Sequence, residues 1–280
     1  MTDASFLISG FADEIADDFD EQLAVLEDLE IEAIDIRGVD GTNVLDLTDE
    51  EAAAAAEKVD DQGLAVTSIG SPIGKIGIED PFEPHLERLD VAIDRAEQFG
   101  TDQIRVFSYY IPEGEEPADY REAVLDRTAE MVNLAEDRGV TLLHENEKDI
   151  YGDTPGRCRD LLTTIDSDSY RAVFDPANFL EIGVDAYPDA LLDLIEFVDQ
   201  LHIKDATKGE RGEIKPAGEG DGHIPEVLDA FQRRGFSGAA SLEPHLAIAG
   251  KKSGFSGPDA YGVATEALRD CLDQIDATYH

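Results

Sequence analysis

Four positions in the sequence could bind a divalent metal ion. Glu145, Asp175, His202 and Glu243 each stand at the end of a short apolar run, at intervals of roughly 30 to 40 residues, about one strand–helix unit. Three carboxylates and one imidazole suit a hard or borderline ion such as Mn²⁺, Mg²⁺, Co²⁺ or Zn²⁺. Each residue alone is more often a helix cap, an ion-pair partner or a core histidine. Burying all four without a cation would be costly, so the set predicts one metal site.

Short apolar runs alternate with longer amphipathic runs along the chain. The apolar runs are rich in β-branched residues, which is typical of strands buried on both faces of a parallel sheet. The predicted strands are Ser5–Phe11, Glu32–Val39, Leu64–Ser71, Gln103–Tyr109, Thr141–Glu147, Tyr170–Asn178, Gln200–Ala206 and Ala239–His245. The predicted helices are Phe19–Glu30, Thr48–Asp61, Pro84–Phe99, Tyr120–Arg138, Thr154–Ile165, Pro188–Phe197, Ile224–Arg234 and Asp259–Ile275.

Eight strand–helix pairs in strict alternation predict an α/β fold, a single (β/α)8 TIM barrel. An open doubly wound sheet rarely reaches eight units, and the first turn, Gly10-Phe11-Ala12-Asp13, lacks the glycine pattern of a dinucleotide site. No linker or low-complexity segment divides the chain, so residues 1–280 are predicted to form one domain. A barrel brings the carboxyl ends of its strands to one rim, which would place the four metal-binding positions together.

Acidic residues dominate the composition and are spread over nearly every predicted helix. The chain has 64 Asp and Glu against 22 Lys and Arg, a net charge of −42. An acidic surface of this kind favours adaptation to high salt, where counterions screen the self-repulsion. The same charge repels phosphate backbones and disfavours binding of nucleic acids.

The sequence offers no sign of secretion or of a membrane span. Residues 1–10 lack a basic region followed by a long apolar stretch, and no apolar run reaches the length of a span. Cys158 and Cys271 lie on separate predicted helices and form neither a close pair nor a disulfide framework. We therefore expect a cytoplasmic protein that does not bind membranes.

Five short motifs lie at or near the predicted strand ends. They are His144-Glu145-Asn146, Phe174-Asp175-Pro176-Ala177-Asn178, His202-Ile203-Lys204-Asp205, Gly218-Glu219-Gly220-Asp221-Gly222 and the segment from Gly238 to Glu243. Together they resemble the xylose isomerase-like TIM-barrel superfamily of sugar isomerases, epimerases and related enzymes, over essentially the whole chain. The resemblance implies one metal ion, Mn²⁺ first among the possible ions, bound by Glu145, Asp175, His202 and Glu243.

The resemblance also implies roles for two of these residues. In the epimerase branch the glutamates at the positions of Glu145 and Glu243 act as acid and base on opposite faces of the sugar, since inversion removes a proton from one face and returns it to the other. The sequence departs from the ketose 3-epimerase pattern at two positions. Asn178 replaces a histidine and Tyr151 replaces a substrate-binding glutamate, which weakens the case for epimerisation of free ketoses.

Four residues are expected to bind the substrate: Asn178, Lys204, Arg211 and Glu147. Two of these assignments have a competitor, because Lys204 could instead pair with Asp205 and Lys208 could take the role of Arg211. Weaker expectations near the pocket are His144, Ser68, Ser71 and Lys75.

The leading hypothesis is a metal-dependent sugar isomerase or epimerase that transfers a proton next to a carbonyl through an enediolate. The partner is then a small-molecule sugar or sugar derivative, and a homo-oligomer is an open expectation. The alternatives are an inosose-type dehydratase, an abasic-site endonuclease and a non-catalytic sugar-binding protein. The Gly218–Gly222 loop lacks the Lys-Ser/Thr of a P-loop and contains two acids, so it gives no support for a phosphorylated sugar.

Overall fold

Eight parallel strands form the core of the protein. The computed structural model describes residues 4–210, 213–246 and 256–280. The strands are β1 Ser5–Gly10, β2 Ala33–Ile36, β3 Ala65–Ile69, β4 Gln103–Val106, β5 Thr141–Glu145, β6 Tyr170–Phe174, β7 Val198–Ile203 and β8 Ser237–Leu242. Each strand pairs with the next along the chain from β2 to β8, and β8 pairs with β1. An isolated parallel bridge between Phe11 and Asp35 links the remaining edge, beside β1 and β2. The prediction of a (β/α)8 TIM barrel is confirmed.

Helices fill the connections between the strands. They are α1 Phe19–Asp28, α2 Asp49–Asp61, α3 Glu83–Phe99, α4 Arg121–Arg138, α5 Pro155–Ile165, α6 Pro176–Glu181, α7 Leu191–Leu194, α8 Ile224–Arg233 and α9 Pro258–Gln274. Thr48 and Glu51 form a reciprocal capping box at the start of α2. Gly100 ends α3 in the left-handed conformation, with φ of 73°. In the described ranges, no helix combines the length and the apolar character that crossing a bilayer would require.

Several predicted elements differ from the structure by a few residues at their ends, and two of these differences change the local structure. The strand predicted over Tyr170–Asn178 ends at Phe174, because Asp175 caps α6 through a bond from Asn178 N, and Pro176 occupies the first turn of that helix. The helix predicted over Pro188–Phe197 is shortened to α7, which follows a π-type turn over Ala186–Ala190. The first difference matters for the site, because the chain turns sharply at Asp175, where β6 ends and α6 begins.

A layer of polar side chains fills the barrel interior. Asp35 accepts hydrogen bonds from Ser9 Oγ at 2.8 Å, from Ser68 Oγ at 2.6 Å and from Gln200 Nε2 at 2.8 Å. All four residues are buried. Ser68, expected near the pocket, thus belongs to this network.

Candidate metal centre

The four positions singled out in the sequence meet at one rim of the barrel. Glu145 ends β5, Asp175 directly follows β6, His202 lies on β7 and Glu243 directly follows β8. One potential ligand atom from each side chain lies within 4.8 Å of the others, and all four residues are buried. These residues are called the predicted ligands below. Adjacent parallel strands account for the meeting, since their carboxyl ends share one rim.

Local hydrogen bonds fix two of the predicted ligands. Asn146 joins the ends of β5 and β6: its Nδ2 donates to Asp175 O at 2.9 Å, and Asp175 N donates to its Oδ1 at 3.0 Å. Asn178 N donates to Asp175 Oδ1 at 3.0 Å, and Asn178 Nδ2 donates to Glu145 Oε1 at 3.2 Å. The two asparagines therefore orient two carboxylates toward the same point.

The donor atoms fit a divalent ion. His202 Nε2 is buried with neither a hydrogen bond nor an ion pair among the described residues. His202 Nδ1 and Glu145 Oε2 lie beside charged groups there, without a well-directed hydrogen bond. Buried polar atoms are rarely left unpaired, and three carboxylates with an imidazole are donors that Mn²⁺, Mg²⁺ and Zn²⁺ accept. The cluster could therefore hold a metal ion.

Protons and ion pairs balance the charge of this cluster. Burial lowers the pKa of His202, but Glu145 and Glu243 outweigh it and raise that pKa to about 9. Burial raises the pKa of Glu145, whereas His202 and Arg105 lower it to about 2. Burial raises the pKa of Asp175 to about 6, against the attraction of Lys204. Near neutral pH the histidine is thus protonated beside two carboxylates, with Nδ1 lying 3.1 Å from Glu145 Oε1.

Three further cations contact the carboxylates of the cluster. Lys204 Nζ lies 2.8 Å from Asp175 Oδ2 and 3.3 Å from Glu243 Oε2. Arg105 Nη1 lies 3.3 Å from Glu145 Oε2. Arg37 Nη1 donates to Glu243 Oε1 at 2.9 Å. Burial raises the pKa of Glu243, but Lys204, His245 and His202 outweigh it and hold that pKa well below its usual value.

Sequence reasoning did not find the two arginines. It considered the ends of the last four strands and the residues near the end of the third, whereas Arg37 follows β2 and Arg105 lies on β4. A signal was available, because a charged residue within an apolar strand, such as Arg105 between Ile104 and Val106, rarely becomes buried without a partner.

Three of the four residues expected to bind substrate lie in the described part of the chain. Asn178, Lys204 and Glu147 line a cavity of about 820 Å³ next to the predicted ligands. Glu147 Oε2 pairs with Lys75 Nζ at 3.1 Å. Arg211 lies outside the described residues. Its competitor Lys208 pairs with Asp185.

The alternative prediction, that Lys204 pairs with Asp205, is wrong. Asp205 instead accepts hydrogen bonds from the backbone N–H groups of Gly218, Gly220 and Gly222, at 3.0, 3.0 and 2.8 Å. Asp205 therefore organises the glycine-rich loop, and Lys204 is directed to the predicted ligands.

Three other positions point away from the cluster. His144 Nε2 lies 3.0 Å from Ser108 Oγ, and burial lowers the pKa of this histidine to about 4. Its neighbour Glu145 faces the opposite side of β5, as alternation along a strand requires. The Tyr151 hydroxyl donates to Asp160 Oδ2 at 2.9 Å, and Ser71 Oγ donates to Arg105 O. These side chains support the framework around the site.

The fold and this rim define a (β/α)8 barrel with a buried acid–histidine cluster at the carboxyl ends of its strands. The chain belongs to the family of xylose isomerase-like TIM barrels, whose model matches residues 23–271. Nothing among the curated proteins matches the sequence.

Three solved structures illustrate the similarity. A D-tagatose 3-epimerase-like protein is 17% identical with a TM-score of 0.76, over 97% of this chain and 98% of its own. The probable 3-DHS dehydratase AsbF of Bacillus anthracis is 18% identical with a TM-score of 0.73, over 95% and 98%. A xylose isomerase-like TIM barrel protein of Mycobacterium smegmatis in complex with magnesium is 19% identical with a TM-score of 0.70, over 96% of both chains. At these identities the likeness is one of fold.

Proposed function

We propose that the protein is a metal-dependent isomerase or epimerase that acts on a sugar or sugar derivative by transferring a proton next to a carbonyl. The observation that carries the proposal is the meeting of Glu145 and Glu243, from β5 and β8, with Asp175 and His202 beside one cavity. A ligand set with two glutamates on different strands supplies both a metal site and a pair of proton-transfer groups.

The chain itself prepares these two glutamates for proton transfer. Arg105 beside Glu145 and Arg37 beside Glu243 favour the ionised carboxylates, the form that accepts a proton. One ionised glutamate would remove the proton next to the carbonyl to give an enediolate. The other, after taking a proton from solvent, would deliver it at the opposite face or the neighbouring carbon, and the first would then release its proton to solvent. A divalent ion held by the predicted ligands would polarise the carbonyl and stabilise the negative charge that develops on the substrate oxygens.

Neighbouring residues position the reacting groups. Asn178 holds Glu145 through its Nδ2 group, a role that an amide fills as well as an imidazole. Lys204 lies between Asp175 and Glu243 and lines the cavity, where its ammonium group can also reach a substrate oxygen. Of the suitable ions we favour Mn²⁺, and we place the enzyme in the cytoplasm.

The test is hydrogen exchange by the metal-loaded protein in D2O. Candidate sugars are incubated with protein whose metal content has been measured, and deuterium at carbon-bound positions is followed by NMR and mass spectrometry. We expect deuterium to enter carbon-bound positions, and we expect the product to differ in mass from the substrate only by that exchange. Glu145→Gln and Glu243→Gln should both abolish it, whereas Glu122→Gln, an exposed glutamate on α4, should not.

Other outcomes would identify the competing activities. Loss of one water from the product would support a dehydratase on the same scaffold. Turnover without deuterium incorporation, under conditions where the intermediate equilibrates with solvent, would contradict proton transfer. A protein that binds metal but turns over no sugar of a broad panel would support the non-catalytic alternative.

A further inference from the structure

Three cations and two aromatic rings alternate along one wall of the cavity. The Arg37 guanidinium lies 4.6 Å from the centre of the Phe11 ring, and the Arg105 guanidinium lies 5.1 Å from the same ring. Arg105 also lies 4.9 Å from the Phe107 ring, against which Lys75 Nζ packs at 4.1 Å. Arg37, Arg105 and Lys75 are called the cation row below. The rings hold these side chains in place without neutralising their charge.

Cations and acids are equally frequent in the cavity lining of this strongly acidic protein. Five Lys and Arg side chains line it in the described part of the chain, namely the cation row with Lys148 and Lys204. Apart from the predicted ligands, the acids that line it are Asp13, Glu147 and Glu181. Glu145 and Glu243 bring these acids to five, whereas acids outnumber bases 64 to 22 in the whole sequence. A metal that takes Glu145 and Glu243 would leave five cations facing three acids, an excess that neutral hydroxyl groups do not require.

Both arginines contact Glu243 of the metal centre, and Arg37 also pairs with Asp13 Oδ2 at 2.8 Å. Arg37 Nη1 donates to Glu243 Oε1 at 2.9 Å, and Arg105 Nη1 lies 3.7 Å from the same oxygen. Arg105 Nε is buried without a hydrogen-bond partner among the described residues. A divalent ion bound by the predicted ligands would share the negative charge of Glu243 and weaken its hold on both guanidinium groups. Arg37 would keep Asp13 and Lys75 would keep Glu147, but the cavity lining as a whole would then carry more positive than negative charge.

We propose that the cation row binds an anionic group of the substrate, a carboxylate or a phosphate, next to the metal centre. The substrate class is therefore a sugar acid or a sugar phosphate, and a neutral sugar is disfavoured. This inference rests on the proposed function, because it concerns the substrate of the same site. Guanidinium groups bind both kinds of anion through paired, charge-assisted hydrogen bonds.

The test compares matched acidic and neutral probes by calorimetry on Mg²⁺-loaded protein at constant ionic strength. The pairs are D-gluconate with D-glucitol, and D-glucose 6-phosphate with D-glucose. For wild type we expect at least one acid to bind about tenfold or more tightly than its neutral partner, as charge-assisted hydrogen bonds allow. Whether gluconate or the phosphate ester shows the larger preference identifies the anionic group.

Three variants show where the preference arises. Arg37→Gln and Lys75→Gln should each reduce the acid-to-neutral affinity ratio severalfold, and the ratio should persist in Arg121→Gln, which loses the same charge on the surface next to Asp160. The metal affinity of each variant is measured separately, since Arg37 contacts Glu243. An acid preference due to the metal alone would survive in both cavity variants and would overturn the inference. So would a wild type that binds neither acid more tightly than its neutral partner.

The outcomes separate this inference from the proposed function. Acid preference without deuterium incorporation from D2O would uphold the substrate class and contradict the isomerase. Deuterium incorporation into neutral sugars, without acid preference, would support the isomerase and contradict the substrate class.

Discussion

Metal binding should compete with a proton on His202. The pKa of this histidine is raised to about 9, so its ring is protonated at neutral pH, whereas a metal ligand must be neutral. At a pH of about 7 the pKa lies roughly two units above the pH. Removing the proton therefore costs about 3 kcal/mol and weakens the apparent metal affinity about hundredfold. Between a pH of about 6.5 and about 8.5, we expect the affinity to rise roughly tenfold per unit.

Calorimetric titration with Mn²⁺ or Mg²⁺ measures this competition directly. Titrations in two buffers with different ionisation heats give the number of protons released, and we expect about one per ion at a pH of about 7. The control is His223→Asn, an exposed histidine outside the cluster with φ of 52°, a conformation that asparagine tolerates. That variant should show the same rise of metal affinity with pH and the same number of protons released per ion.

The same proton should appear in the stability of the metal-free protein. The folded-state pKa of His202 is raised from 6.5 to about 9, so the stabilisation is complete below a pH of 6.5 and is lost as the pH rises through about 9. The shift corresponds to roughly 3 kcal/mol, given about 1.4 kcal/mol per pKa unit. In the metal-free protein, kept so by a chelator, this group should lower the free energy of unfolding as the pH rises. In the metal-loaded protein, the stabilisation by metal should grow over the same pH range. A metal affinity independent of pH, with no proton released, would refute the reasoning.

Three further predictions test other parts of the structure. Asp205→Ala removes the acceptor for three loop N–H groups and should lower the free energy of unfolding in urea by about 3 kcal/mol or more. Added KCl should raise the melting temperature, because it screens the repulsion within a net charge of −42; a flat response would contradict this. Cys158 and Cys271 are buried and burial raises both thiol pKa values, so a thiol reagent should react only on unfolding.

The fold was predictable because strand and helix patterns are local. Alternating apolar and amphipathic runs, the capping box at Thr48 and the glycine at position 100 each act over a few residues. The errors arose where short-range rules compete. The apolar run before Asp175 predicts that the strand continues through it. Pro176 favours the first turn of a helix, and in the structure the helix begins there.

The predicted ligands were also accessible to sequence reasoning, since one position on each of four successive strands repeats with the strand–helix unit. The pairing of the surrounding cations was not accessible. Arg37 lies 206 residues from Glu243 in the sequence, and Lys204 could as easily pair with the adjacent Asp205. Such choices depend on which side of the strand a residue faces and on the closure of the barrel.

The predicted ligands and the cation row lie in different halves of the barrel, whereas Lys204 lies in the same half as the ligands. The predicted ligands come from the last four strands, whereas the cation row comes from β2, from the loop after β3 and from β4. Each ligand carboxylate has a cation at hand, with Arg105 at 3.3 Å, Lys204 at 2.8 Å and Arg37 at 2.9 Å. Unmatched buried charges would cost several kcal/mol each, so this pairing lets the site fold before a metal binds. A metal that takes the carboxylates frees the same cations for an anion, so metal and acidic substrate should each strengthen the binding of the other.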